Sequence, residues 1–152
     1  MTLAAGYETN LLTGLAVALA AAGLEITYPA ATGGFTALQT GLFVNKIPQS
    51  PDRVVSLSSY GVKDDPTLSD TITGVQVRTR AQVEDPRLVY DLDSAIFGYL
   101  QGKTAWTLST GILVVEIHRN SGPALLGQDE NKRWMLSSNY YATCWRPGTN
   151  RG

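Results

Sequence analysis

The sequence predicts a single α+β domain, with a mainly antiparallel sheet and two helices packed on one face of that sheet. Apolar residues recur at helical spacing in two segments, and short segments of strand character follow each of the two. The chain has 152 residues, about the length of one domain, and a domain of that size buries a core that needs no disulfide or metal. We therefore assign residues 1–152 to one domain.

The first predicted helix is rich in alanine and leucine. Its apolar residues recur at helical spacing at Leu11, Leu12, Leu15, Leu19 and Ala22. Thr9 or Asn10 is expected as its N-cap, and Gly23 is expected to end it. The apolar run over residues 14–24 is shorter than the ~20 residues that cross a bilayer, so we expect no membrane partner.

The second predicted helix follows Glu84. Asp85 is expected as its N-cap, and Pro86 occupies the first helical position, which proline favours. Its apolar stripe consists of Leu88, Leu92, Ile96 and Leu100. Gly102 is expected to end it.

Strands are predicted around these helices. Their expected bounds are 42–47, 53–60, 71–80, 111–119 and 133–146. Three further segments are expected to lack regular structure: a flexible loop at about 29–41, a long hairpin loop at about 120–132 and a short C-terminal tail at about 147–152. The hairpin loop is longer than a chain reversal needs, and loops of that length are often functional.

The balance of charge argues against a nucleic-acid-binding protein. Lysine and arginine number 12, aspartate and glutamate 13, and the formal net charge is −1, whereas proteins that bind DNA carry an excess of basic residues. Charged residues make up only 16% of the chain, below the ~25% that is usual. Either the surface is neutral and polar, or much of it faces protein neighbours, since interface cores are depleted in charge.

The sequence shows little that indicates catalysis. Its one histidine, His118, lies next to Glu116 on the polar face of a predicted strand. Its one cysteine, Cys144, lies within a strand pattern and has no basic neighbour before Arg146, so we expect a buried, inert thiol. We therefore predict no catalytic residue and no cofactor.

A metal site is the strongest chemical alternative. Asp64, Asp65 and Asp70 could supply oxygen ligands to a divalent cation. Aspartate is also an ordinary turn residue, and Pro66 breaks the local spacing. A small metal-dependent or hydrolytic enzyme would need Asp64 and Asp65 to meet Glu116 and His118, and no spacing in the sequence places them together. We predict no metal.

Residues 50–80, 84–100 and 126–141 contain an ordered set of short motifs: PDR, DDP-x-LSD, GVQVR, DPR and GQD…RW…NYY. These segments resemble a family of small phage proteins known as minor capsid or tail terminator proteins, and the leading helix also looks like the first helix of that family. The ordered set of motifs, rather than any single motif, carries the resemblance.

The resemblance implies a structural virion protein rather than an enzyme. Tail terminators form a ring, generally of six subunits, on the head-proximal end of the tail tube, where they stop tube growth and join the head. The implied partners are further copies of the chain, the major tail tube protein and the head–tail connector proteins, while DNA passes through the channel without sequence-specific binding. Assembly would take place in the cytoplasm of the host bacterium. The alternative is another neck component, such as a head-completion or connector protein.

Five residues are candidates for contacts with other proteins. Leu125 and Leu126 form an apolar pair in the predicted hairpin loop, where they would either contact a neighbour or fold back onto their own domain. Arg78 and Arg80 lie on one face of a predicted strand and would suit ion pairs between subunits or a phosphate backbone. Phe35 is the aromatic residue of the loop at 29–41.

Overall fold

A computed structural model describes residues 3–29, 34–36, 38–83 and 86–151, and the seven strands within these ranges join one sheet. In chain order the elements are α1 (Tyr7–Ala20), β1 (Ile26–Thr27), β2 (Thr40–Val44), β3 (Arg53–Asp64), β4 (Asp70–Arg80), α2 (Arg87–Leu100), β5 (Thr104–Thr107), β6 (Leu113–Gln128) and β7 (Trp134–Trp145). Across the sheet, the seven strands lie in the order β1-β2-β3-β4-β7-β6-β5.

The predicted fold class is wrong, because the protein is mostly β. Of the described residues, 45% lie in strands and 20% in helices, and the sheet is mixed and curled. β1 with β2 and β2 with β3 pair in parallel, and the remaining neighbours are antiparallel. The parallel pairing of β2 with β3 was not predicted, because only residues 45–52 connect them and a parallel crossover normally takes about a dozen residues or more.

The predicted hairpin loop at 120–132 is wrong as well, because β6 continues through Gln128. The pairing of β6 with β7 shifts register at four places. Gly122 and Gly127 there have φ values of +96° and +95°, a conformation that suits glycine. These bulges interrupt the alternation of apolar and polar residues, so the segment has the composition of a loop and the pairing of a strand. Only residues 129–133 separate β6 from β7.

Both predicted helices are present, with different starts. α1 begins at Tyr7 with Gly6 in the N-cap position, and neither Thr9 nor Asn10 caps it. α2 begins at Arg87 with Pro86 in the N-cap position. The predicted N-cap Asp85 lies outside the described residues.

The two helices bury their apolar residues in one common core. α1 lies against β1, β2 and β3, while α2 lies against β4, β6 and β7. The core includes Leu11, Leu15 and Leu19 from α1, Leu92, Ile96 and Leu100 from α2, and Val55, Leu57, Val75, Val77, Ile117 and Tyr140 from the sheet. Full burial of a leucine or isoleucine contributes about 1.5–3 kcal/mol. The core therefore lies between the helices and one face of the sheet.

Candidate assembly surface

The sheet face that points away from this core, called the outer face below, is polar and aromatic. Val75 and Val77 of β4 point into the core, so Gly74, Gln76 and Arg78 point to the outer face, since neighbouring residues of a strand alternate in direction. The register extends this face across the sheet: Ser56, Ser58 and Tyr60 on β3, Ser137, Asn139 and Tyr141 on β7, and His118 on β6.

An aromatic row crosses the outer face from β3 to β6. Tyr60 pairs with Gly74, Gly74 with Tyr141, and Tyr141 with His118. The rings of Tyr141 and His118 meet edge to face, with their centroids 6.1 Å apart. Tyr60 is 42% exposed, and its hydroxyl donates a 3.4 Å hydrogen bond to Oδ1 of Asn139. Protein interfaces are enriched in tyrosine, tryptophan and arginine, and this row supplies two tyrosines on a sheet face that neither helix covers.

Apolar side chains are exposed at the end of the sheet where Trp145 pairs with Asp70. Cys144 points into the core, so its neighbour Trp145 points outward, and Trp145 is 51% exposed. Leu68, in the turn between β3 and β4, is 61% exposed. Val62 and Val115 are also exposed.

Arg78 lies on the outer face, as the alternation of β4 predicts. It lines a cleft together with Lys46 and Ser58. Its Nε is buried and has no hydrogen-bond partner among the described residues.

Arg80, the second predicted arginine, is not available to a partner. It is only 3% exposed. Its Nη2 donates a 2.6 Å hydrogen bond to the carbonyl oxygen of Pro51, and its Nε a 3.0 Å bond to that of Asp52. Burial and the neighbouring charge of Arg133 lower the pKa of Arg80. The side chain thus fixes the loop before β3 rather than meeting a second protein.

Arg133 forms a second buried site at the same end of the sheet. Its Nε donates a 2.9 Å hydrogen bond to Asp129, and its Nη1 a 3.1 Å bond to Asp52. Nη1 also bonds the carbonyl oxygen of Gln49. Burial alone would raise the pKa of Asp129, but the hydrogen bonds from Arg133 lower it below its ordinary value. Arg133 therefore joins the β6–β7 turn to the loop that precedes β3.

The other predicted interface residues lie on β6 and in the segment before β2. Leu125 and Leu126 lie on β6 and are 45% and 51% exposed. The ring of Phe35 meets that of Phe43 edge to face, with centroids 5.5 Å apart. In the register of the sheet, one strand separates Arg78 from each of these sites: β3 lies between Arg78 and Phe43, and β7 lies between Arg78 and Ala124, the neighbour of Leu125.

The residues of the alternative enzyme are not brought together. Asp64 lies on β3 and Glu116 on β6, and β4 and β7 run between them, which amounts to three strand spacings of about 4.8 Å each. His118 Nδ1 lies 2.9 Å from Glu116 Oε2. Within the part of the chain that the structure describes, no three histidine, cysteine, aspartate or glutamate residues are placed to hold a metal. Cys144 is buried, and that burial raises the pKa of its thiol.

The family of the protein follows from a comparison of its sequence with known families. The profile described as bacteriophage tail terminator protein matches residues 25–144. That span covers the whole sheet except the last residue of β7. The chain belongs to the bacteriophage tail terminator family.

Membership of the tail terminator family makes this protein a structural component of the phage tail. The family is structural, not enzymatic, and its place is the tail of the virion. No curated protein matches the chain. Neither helix in the described residues is long and apolar enough to cross a membrane.

The sequence missed the residues that give the tail terminator its outer face. Tyr60 and Tyr141 were assigned to strands, but their common row depends on the register between β3, β4 and β7. Gly74 was the one residue in the sequence that could have indicated this row, because a glycine inside a strand often marks the close approach of another group.

Proposed function

We propose that this tail terminator forms a ring on the head-proximal end of the tail tube, where it stops tube growth and presents the surface that joins the head. One observation carries the proposal beyond the family: the two helices cover only one face of the sheet. The outer face keeps Tyr60, Tyr141 and Trp145 partly or largely exposed. A protein that works by contact needs such surfaces and no active site.

The proposed role has a simple geometric basis. A tail tube grows through a head-to-tail contact that never closes on itself, so growth continues until another protein occupies the last ring. A terminator must offer the contact surface of the tube on one side and withhold it on the other. The ring itself, generally of six copies in proteins of this kind, follows from a heterologous contact whose rotation closes.

The proposed partners are further copies of the chain, the major tail tube protein and the head–tail connector proteins. DNA would pass through the ring without sequence-specific contacts, in agreement with a formal net charge of −1. Assembly would take place in the host cytoplasm before the tail joins the head.

The test is a phage from which the gene is deleted. We expect headless tails of irregular and excessive length by electron microscopy, and a wild-type copy of the gene supplied in the host should restore normal tails. In restored virions, immunogold labelling should mark a single position at the head-proximal end. Label at the baseplate or along the tube would refute the proposal, as would deletion tails of normal length.

A further inference from the structure

The cleft around Arg78 is a cationic groove on the outer face. It has a volume of about 460 Å³, and its lining includes Lys46 and Arg78 but no aspartate or glutamate. Ser56, Ser58 and Gln76 supply most of the remaining lining. The groove therefore combines two positive charges with hydrogen-bonding side chains.

Arg78 forms no ion pair with any residue that the structure describes. The side chain is partly buried, and its Nε is fully shielded from water without any hydrogen-bond partner in the described residues. A buried donor that stays unpaired is costly, more so when it is charged. Arg80, two residues further along the same strand, satisfies its guanidinium with carbonyl oxygens of its own chain. The groove thus has the chemistry to receive a carboxylate from outside the chain.

The chain also has an acidic segment, called the arm below and comprising residues 61–70, which includes the end of β3, the turn that follows and the first residue of β4. β2 pairs with β3 only as far as Leu57, so the arm extends beyond β2. It contains Lys63 and the three aspartates Asp64, Asp65 and Asp70, and one positive and three negative charges give it a net charge of −2.

The aspartates of the arm form no ion pair among the described residues. Asp64 and Asp65 line a cleft with Arg146 and Arg151, and Arg151 donates to the carbonyl oxygens of Leu68 and Asp70. Asp65 holds its own turn by accepting from Thr67, and Asp64 accepts from Thr71. The side chains of Asp64 and Asp70 remain exposed.

We propose that the arm of one copy docks in the Arg78 groove of the next, with carboxylates of Asp64 or Asp70 against Lys46 and Arg78. The exposed Leu68 at the tip of the arm matches the apolar lining residue Ile47. Groove and arm occupy different parts of the sheet, so the contact is heterologous, and repetition of such a contact closes a ring. The inference rests on the proposed ring and identifies the contact that builds it.

A disulfide tether tests the contact directly. Thiols are introduced in the groove by Ser58→Cys and on the arm by Thr67→Cys, and the fully buried Cys144 is left in place. Within one chain, residues 58 and 67 are about 20 Å apart along the strand, too far for a disulfide. Mild oxidation of purified tails should therefore give a ladder of dimers, trimers and larger species on a non-reducing gel. Each single variant should stay monomeric.

Exchange of the charges tests the same contact by function. Lys46→Glu with Arg78→Glu should weaken it by about 30-fold or more, and so should Asp64→Lys with Asp70→Lys. The four changes together should restore the contact. The matched control is Asp91→Lys with Glu130→Lys, which alters charge by the same amount at exposed positions outside the arm. The readout is the titre of the deletion phage with each variant supplied, together with the melting temperature of each purified chain.

Two results would overturn the inference. One is the absence of any ladder from the double-cysteine tails. The other is a combined charge variant that folds but fails to restore the titre, because the groove would then serve a tube carboxylate or a DNA phosphate. Neither result touches the proposed role at the end of the tube, since tail length and immunogold position are measured separately.

Discussion

The ring of Tyr60 lies directly over Gly74, so that a β-carbon at position 74 would come 2.2 Å from Cζ of Tyr60. The two residues pair across β3 and β4. The glycine thus lets an aromatic ring lie flat on the sheet, and it starts the aromatic row of the outer face. An exposed tyrosine is held in place there by the absence of a side chain on the neighbouring strand.

The first prediction follows from that contact. Gly74→Ala should lower the free energy of unfolding by about 1 kcal/mol, because the Tyr60 ring must swing away. In a Tyr60→Ala background, the same change should be neutral or stabilising by about 0.5 kcal/mol, since glycine inside a strand costs conformational entropy. Urea denaturation of the four proteins measures both values. Gly61→Ala, where nothing lies within 4 Å of the added carbon, is the control, and a loss at 74 that persists without Tyr60 would contradict the explanation.

The second prediction concerns Arg133, which is 4% exposed. Arg133→Ala should cost about 3 kcal/mol, because Oδ2 of Asp129 and Oδ1 of Asp52 lose their donor and the carbonyl oxygen of Gln49 loses its shorter hydrogen bond. Arg133→Lys should recover only part of that loss, since one ammonium cannot reproduce the planar fork of donors. Urea denaturation should rank the two variants in that order. Glu130→Ala in the same turn is exposed and should change stability little; an equal effect there would show that any change in the turn is harmful.

The third prediction concerns pH. Asp93 is buried on α2, where its Oδ1 accepts a 2.7 Å hydrogen bond from Ser138 and its Oδ2 lies 3.3 Å from Arg119. Burial raises the pKa of Asp93 above 3.8, although Ser138 and Arg119 oppose the rise. The folded state therefore binds a proton more tightly than the unfolded state, so this contribution to stability is present at low pH and is lost as pH rises through the folded pKa.

Comparison with Asp93→Asn isolates that effect. Between pH 3.8 and neutrality, the stability of the wild type should fall relative to that of the Asn variant, because only the wild type carries a group that must ionise inside the fold. Urea denaturation over a pH series gives the difference. The exposed Asp91→Asn is the control on the same helix, and a difference that stays constant with pH would show that Asp93 does not titrate abnormally.

Parts of the fold were accessible to sequence reasoning because their patterns are local. Alternation around Val75 and Val77 predicted a strand at 71–80, and β4 spans Asp70–Arg80. The apolar stripe of α2 was predicted correctly at Leu92, Ile96 and Leu100. In both cases one regular period runs through the whole element, and the core simply buries its apolar side.

The misses depend on contacts between distant segments. β6 was cut short because its bulges accommodate Gly122 and Gly127, and only the pairing partner β7 shows that the segment is a strand. Arg78 and Arg80 lie on the same strand and point to the same face, yet the loop before β3 buries Arg80 and leaves Arg78 partly exposed. Alternation therefore places both arginines on the outer face, but it does not predict that Arg80 is buried there.

The final prediction concerns Leu125 and Leu126, which the sequence analysis assigned to a loop. They lie on β6, where Leu125 pairs with Leu136 of β7. Leu136 is completely buried, whereas Leu125 and Leu126 are 45% and 51% exposed. An apolar surface of this kind costs about 25 cal/mol per Å² when it stays in water. The pair is therefore expected to be covered by a neighbouring subunit or by the tube protein.

Substitution of Leu125 and Leu126 shows whether the pair belongs to an interface or to the core of the chain. Leu125→Ser with Leu126→Ser should leave the melting temperature of the purified chain nearly unchanged, because neither side chain is fully buried, while phage carrying it should lose head joining or make overlong tails. Leu136→Ala on the paired strand is the contrast, with an expected cost of about 2–5 kcal/mol from the cavity it leaves. Electron microscopy of tails and thermal unfolding of both chains provide the comparison. If the double serine variant instead melts as early as Leu136→Ala, the pair belongs to the core, and the interface assignment is wrong.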